Sequence, residues 1–593
     1  MSQVSTNSTS SGLSSATTSS PWIVGPLPDL ALFVATPVLI LPLVMLARRQ
    51  FSDQAIYGLV ASLGATGHHL PGMLRAYGDR ALFRRFRLRL TVAPILLLAI
   101  SIPLLYSDLK QGMAVLLAVW GLWHGMMQVY GFLRIYDAKT PHRVPDNGPS
   151  RIPQIDWLMC LAWFGAGVVY SDGRIFLLLD TLYRAGVPLI PPPLIEALRI
   201  TWLIGTVLIT VVFLGREWMR RAGWHPATGI KLLSMSISFA FWWYAMVMVD
   251  NIIVGVAIFE IFHDVQYLGI VWVFNRRRAG SSTDAGQFTR WLFRRSAMMV
   301  IAYVGLVAAY GLGTQLPGRL GAEAIQEFMV AVIWTSTMLH FYFDGFIWKV
   351  RESSTRAGLG LDSAAPNSVS RPMAPGLVHG LKWTPLFGTL GLLAFSQWWS
   401  DFVFSDQVAR DQQIRARYEN LVEVTPRYDH AHVTLGKQLR IQGHLSQAET
   451  SLSTALTLSG DQNTDAHFEL ALLKANFGLL EEVIPHHRAV LAREPTRSES
   501  HLGLGLVLQS LKRPEEAETH LSEAIRLDPT SAAAHIGVAR LAAEQRNSDR
   551  ARSHLQEAIS ILGRASDPSS ADRQLLQSAE RLLDRLEPSP ATR

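Results

Sequence analysis

The stretch Ile252-Ile-Val-Gly-Val-Ala-Ile-Phe-Glu260-Ile-Phe-His263-Asp264-Val-Gln266-Tyr267-Leu-Gly-Ile-Val-Trp-Val-Phe274-Asn275 decides what kind of chain this is. It is apolar over a length that crosses a bilayer, for which a helix needs about 20 mainly apolar residues. Yet Glu260, His263, Asp264 and Tyr267 follow i, i+3, i+4, i+7 spacing and so share one stripe of that helix. Ionisable groups inside a span are costly and mark functional interiors. One segment therefore predicts both a fold and a site.

Carried outward, the same criterion predicts eleven spans, near residues 28–47, 54–75, 90–107, 113–134, 153–170, 197–215, 229–248, 252–275, 296–314, 325–349 and 383–401. Backbone polar groups in lipid must pair internally, so these runs are expected as helices. Basic residues gather in alternate loops: Arg75 to Arg89, Arg134 to Arg151, Arg216 to Lys231, Arg276 to Arg295, and Lys349 to Lys382. Positive charge stays in the cytoplasm. With an odd number of spans, the amino terminus is then inside and everything after residue 401 outside. For a bacterial chain that means the inner membrane and the periplasm. The pair Arg48–Arg49 is a local violation of the rule.

Composition supports a division. The chain has 593 residues, 49% hydrophobic and 17% charged, with a net charge of +7. Residues 1–402 carry a balance of +11, and the remainder −4. A single soluble globule is excluded, and Cys160, the sole cysteine, excludes a disulfide scaffold. Residues 1–27 form a Ser/Thr-rich tail expected to be disordered, and 352–381 reads as a flexible cytoplasmic linker within the membrane domain at 28–402. Anionic lipid accounts for the Arg-rich loops, no phosphate-cradling motif occurs, and nucleic acid is not an expected partner.

After residue 428 a period of 34–35 residues appears. Ala448 is matched by Val483, Ala517 and Ala551, and Ala455 by Val490, Ala524 and Ala558. Leu504-Gly505, Glu515-Glu516-Ala517 and Ala524-Ile525-Arg526-Leu527-Asp528-Pro529 resemble the tetratricopeptide repeat. The resemblance covers residues 429–563 as four repeats, with Val483 and Val490 departing from the small-residue pattern and Lys512 and Arg546 replacing the inter-helix glycine. It implies paired antiparallel helices and a surface that binds a protein partner. A connecting helix is expected in 403–428, and a capping helix and tail in 564–593. The fold class is thus all-α: a polytopic membrane bundle followed by an α-solenoid.

Of eight histidines in the membrane part, His142, His225 and His379 fall in loops. His68, His69, His124, His263 and His340 fall within spans that all run toward a basic boundary, at overlapping depth. Imidazole is a common ligand of iron, copper and zinc. These five are the candidate ligands of iron or haem, with membrane lipid around them. Glu260 and Asp344 are candidate proton carriers, and Gln128, Asp264 and Gln266 candidate partners that orient the imidazoles.

The histidine boxes of membrane desaturases are absent. One histidine or pair per helix is a little similar to the bacterial carotene-cleaving dioxygenases of the Brp/Blh type, which hold iron with intramembrane histidines. That similarity is one of architecture and residue class, without a shared motif. The expected function is a metal- or haem-dependent membrane oxidoreductase. The alternatives are a membrane-anchored repeat scaffold with structural histidines, a proton relay or transporter, and a lipid-linked glycosyltransferase, for which the outer loops lack paired carboxylates.

Overall fold

A computed structural model of the protein describes residues 20–106, 110–140, 152–221, 224–249, 251–281, 285–313, 323–349, 353–361, 375–564 and 569–586. The tail up to residue 19 and the last residues from 587 lie outside the described residues. Among the described residues the regular elements are all helical, and one isolated bridge joins Asp79 to Ala285. The chain divides into two compact units, Met1–Val403 and Phe404–Arg593.

The first unit begins with α1 (Pro26–Val34) and α2 (Thr36–Ala47), which meet at a 57° bend. Then α3 (Asp53–Val60) passes through a π-helical segment, Ala61–Thr66, into α4 (His69–Gly78). Six helices follow: α5 (Arg80–Tyr106), α6 (Lys110–Ala138), α7 (Ile152–Val169), α8 (Asp172–Arg184), α9 (Pro192–Arg220) and α10 (Pro226–Trp243). The unit ends with α11 (Ile252–Ser281), α12 (Gln287–Leu292), α13 (Ala297–Leu312), α14 (Glu323–Ile347), α15 (Ser353–Leu359) and α16 (Pro375–Val403).

Six of these helices are long and apolar enough to cross a membrane: α5, α6, α9, α10 with its continuation to Met248, α11 and α14. The bent pair α1–α2 makes a seventh if it is one span. The expectation of eleven is corrected for physical reasons. The run 54–75 is interrupted at Ala61–Thr66, α13 has only 16 residues, and α7 starts on Gln154 and Asp156. In α16 the apolar run is diluted by Lys382, Pro385, Gln397 and Asp401.

Burial separates central from peripheral helices. On α9, Leu203, Ile204, Val207, Leu208 and Val211 are exposed, an apolar face suited to lipid. On α11, Val254, Ala257, Phe262, Val271 and Phe274 are buried. Only a helix enclosed by others can carry a polar stripe without presenting it to lipid, and α11 is enclosed. The stretch read as a linker is partly ordered: Leu359 and Leu361 pack into a buried cluster with Phe274, while residues 362–374 lie outside the described residues.

In the second unit, α17 (Gln407–Val424) leads into four antiparallel hairpins. They are α18 (Asp429–Ile441) with α19 (Leu445–Ser459), and α20 (Thr464–Asn476) with α21 (Leu480–Arg493). The third pairs α22 (Ser498–Ser510) with α23 (Pro514–Leu527), and the fourth α24 (Ala532–Glu544) with α25 (Ser548–Gly563); α26 (Ser570–Leu586) follows. The small residues are what allow the helices of a pair to approach. A Cβ on Gly436 would lie 2.6 Å from Leu452, and one on Gly505 2.7 Å from Leu521. Val483 and Val490 are buried at the positions that alanine fills in the other repeats.

Candidate metal centre

Four elements of the first unit bring histidines together. His68 caps the amino end of α4, while His124, His263 and His340 project from α6, α11 and α14. All four are buried, and one ring nitrogen from each lies within 4.8 Å of the other three. His340 Nε2 is 3.0 Å from His68 Nε2 and 3.0 Å from His124 Nε2.

The surroundings assign a proton to one ring. His68 Nδ1 faces two acceptors, the Gly64 carbonyl at 3.0 Å and Asp264 Oδ1 at 2.7 Å. Nδ1 therefore carries the proton, and Nε2 turns a lone pair toward the other imidazoles. A neutral ring nitrogen either donates or accepts, so three converging Nε2 atoms cannot all satisfy one another. His263 Nδ1 and His340 Nδ1 also lack a hydrogen-bond partner. A set of lone pairs aimed at one point in a buried space is what a transition-metal ion neutralises. Imidazole donors fit iron, copper or zinc. A separation of 3.0 Å suits adjacent ligands on an ion bound at about 2.0–2.1 Å.

The close approach is built into the backbone. The π-helical segment re-aims the chain between α3 and α4, a geometry often found at functional sites. Within it, a Cβ on Gly64 would fall 1.9 Å from Asp264 Oδ2. On α4, a Cβ on Gly72 would fall 2.7 Å from the Tyr267 hydroxyl.

The other candidate residues take different places. His69 is not in the four-ring group: its Nδ1 is 3.0 Å from Ser336 Oγ, which is 2.7 Å from the Tyr310 hydroxyl, and its ring stacks on His340. Asp344 Oδ2 lies 3.9 Å from His124 Nε2 and 3.8 Å from His340 Nε2, while its Oδ1 accepts from Tyr267 and Trp348. Asp264 orients His68 on a different helix. Gln128 donates to the His263 carbonyl and to Gln266 Oε1, and Gln266 donates to the Phe33 carbonyl. Both amides thus brace the backbone beside the imidazoles, at the His263 and Phe33 carbonyls. Glu260 is not among the groups that converge. His225 caps α10, accepting from the Ala227 amide; His142 and the His379 side chain lie outside the described residues.

Sequence reasoning missed Ser336, Tyr310, Gly64 and Gly72. Ser336 and Gly64 each sit four residues before a converging histidine, His340 and His68, and Gly72 sits three after His69, so helical spacing could have found them; Tyr310 comes from a separate helix and carried no signal. Arg75, read as a loop boundary, is buried with its guanidinium between the Phe274 and Trp348 rings, 3.8 Å from each centroid.

Two classes of comparison bear on the chain. The family model described as tetratricopeptide repeat matches residues 484–532 and 502–571, and the C-terminal region carries these repeats. Among solved structures, one titled as YrrB, a tetratricopeptide protein with an unusual peptide-binding site, aligns at 19% identity and a TM-score of 0.25. It covers 31% of this chain and 89% of that one. A crystal structure of MamA aligns at 20% identity and a TM-score of 0.24, covering 26% of this chain and 87% of its own. MamA from Desulfovibrio magneticus RS-1 aligns at 16% and 0.25, covering 27% and 89%. No curated protein matches the chain.

Proposed function

We propose that the chain is an integral protein of the bacterial inner membrane in which His68, His124, His263 and His340 hold a redox-active ion, iron before copper or zinc. On this reading it is a metal-dependent oxidoreductase, and its repeat region binds a protein partner on the outer side. The observation that carries the reading is the convergence of His68, His124 and His340 Nε2, two of the separations being 3.0 Å. An iron or copper ion held there supplies one-electron chemistry to a lipid-soluble substrate. The protein's own groups do the rest. Asp264 keeps the His68 proton on Nδ1, and the helices exclude bulk water from the imidazoles. Tyr267 and Trp348 occupy one Asp344 oxygen, leaving the other free to hold a proton beside His124 and His340. A bare ion is favoured over haem because a macrocycle would have to pass through the space the four rings fill.

Metal analysis and a visible spectrum of protein purified without metal-affinity chromatography test this. About one iron per chain, lost in His340→Ala, is expected. A Soret band would replace the bare ion with haem. Absence of metal, with His263→Ala and His340→Ala folding normally, would overturn the oxidoreductase and leave a membrane-anchored scaffold with structural histidines. That second reading is favoured by the repeats, whose family binds proteins.

A further inference from the structure

The repeat region contains a second set of histidines, arranged with the period of the repeat. His467 on α20 meets His486 on α21, His501 on α22 meets His520 on α23, and His535 on α24 meets His554 on α25. In each pair the two Nδ1 atoms are 3.0 Å apart. In the first repeat Ser451 stands where the second histidine would be, and donates to the His432 carbonyl.

The outer nitrogen of the first ring decides what the inner one presents. His467 Nε2 lies 3.3 Å from the Asp461 carbonyl, and His501 Nε2 3.1 Å from the Pro495 carbonyl. An N–H donated to a backbone carbonyl leaves Nδ1 with a lone pair facing the neighbouring helix. This is the arrangement that metal-bound histidines adopt, the remote nitrogen being fixed by a carbonyl or carboxylate. The facing ring is half-buried in every pair, so solvent reaches one side.

We propose that each pair is a two-histidine site for a late first-row divalent ion, copper(II), nickel(II) or zinc(II), water completing the coordination. Two nitrogens 3.0 Å apart on different helices form a chelate for an ion at about 2.0–2.1 Å. The sites are not equal. One turn before the second histidine stands Glu482 in the first pair and Glu516 in the second, but Arg550 in the third. The His535–His554 site should therefore fill last.

The test is equilibrium dialysis of the full chain, in detergent and without a histidine tag, against zinc(II) alone. The triple variant His486→Gln, His520→Gln, His554→Gln is expected to bind three fewer ions than the parent. A variant of the membrane histidines, His124→Gln with His340→Gln, is expected to keep those three, which separates this inference from the intramembrane centre. Equal binding by parent and triple variant would overturn it. Should the triple variant misfold, acylation of the intact protein by diethyl pyrocarbonate decides: zinc is expected to protect the six paired histidines, and unchanged labelling would overturn the proposal.

Discussion

At His68 two acceptors face one ring proton, and the consequence is measurable. Removing the Asp264 carboxylate leaves only the Gly64 carbonyl to hold the tautomer. Loss of an outer partner of this kind typically costs 10–100-fold in metal affinity. Asp264→Asn is expected to lower metal occupancy in a chelator competition by about that factor, while His69→Gln, outside the converging group, leaves it unchanged. Occupancy falling equally in both would show that the pocket responds to any disturbance. A different histidine governs acid stability in the repeats. Burial, then His486 and Arg497, push His487 down to about 4. Its unfolded value is near 6.5, so between those values the unfolded chain binds the extra proton. Stability is full above about pH 6.5, falls as pH drops toward 4, and levels off below, by roughly 3 kcal/mol at most. His487→Leu should flatten this slope in the pH dependence of proteolytic opening of the repeat region; an unchanged slope would reassign it.

Among the elements, the tightest constraint lies in the turns of the repeats. All four hairpins close the same way: the residue immediately before the N-cap of the second helix sits in a left-handed conformation. Gly443 and Gly478 have φ of 82° and 73°, but Lys512 and Arg546 adopt 61° and 58°. The bonds match, Gly443 and Lys512 donating to the carbonyls three residues back at 3.1 and 3.0 Å. A side chain in this conformation costs about 1 kcal/mol or more. Lys512→Gly and Arg546→Gly are each expected to raise the stability of the repeat region by about 1 kcal/mol in chemical unfolding. The ion pair of Lys512 with Glu544, long at 3.6 Å and exposed, offsets little of that gain. Here the repeat period made the helices legible, since small residues recur wherever two helices touch. The π-helical segment was not legible. It carries Gly64 close against Asp264 of α11, an approach between residues 200 positions apart, and residues 54–75 alone read as a continuous apolar run. Likewise the histidines were legible as residue types at a common depth. Which four converge, and that His69 turns to Ser336, depended on helix adjacency that no spacing encodes.

For the whole molecule, the ion pairs of the first unit show that the basic clusters share one end of the bundle. Asp156 at the start of α7 is met by Lys231 at the start of α10 at 2.5 Å, and by Arg216 and Arg134 near the ends of α9 and α6 at 3.3 and 3.6 Å. Arg278 near the end of α11 pairs with Asp79 between α4 and α5. Successive helices thus alternate in direction, and α7, though short of the apolar criterion, runs beside α9 from Asp156 near Arg216 to Val169 near Arg199. The exceptional pair at Arg48–Arg49 is half answered, because Arg48 is neutralised by Asp53 at 2.8 and 3.0 Å. The two ends of the unit then differ. Asp29 in α1 accepts from Tyr136 near the end of α6, at the basic end. Leu393 in α16 packs with Val115 near the start of α6 and Ala185 after α8, at the opposite end. Within this unit α1 thus lies at the basic end and Leu393 of α16 at the opposite one. Basic ends face the cytoplasm, so protease added to spheroplasts should digest the residues after 403 while an epitope placed before Trp22 survives. Digestion of the amino-terminal epitope with protection of the repeats would invert the orientation. Loss of both together would put the two ends of the unit on one side and overturn the orientation argued from the basic end.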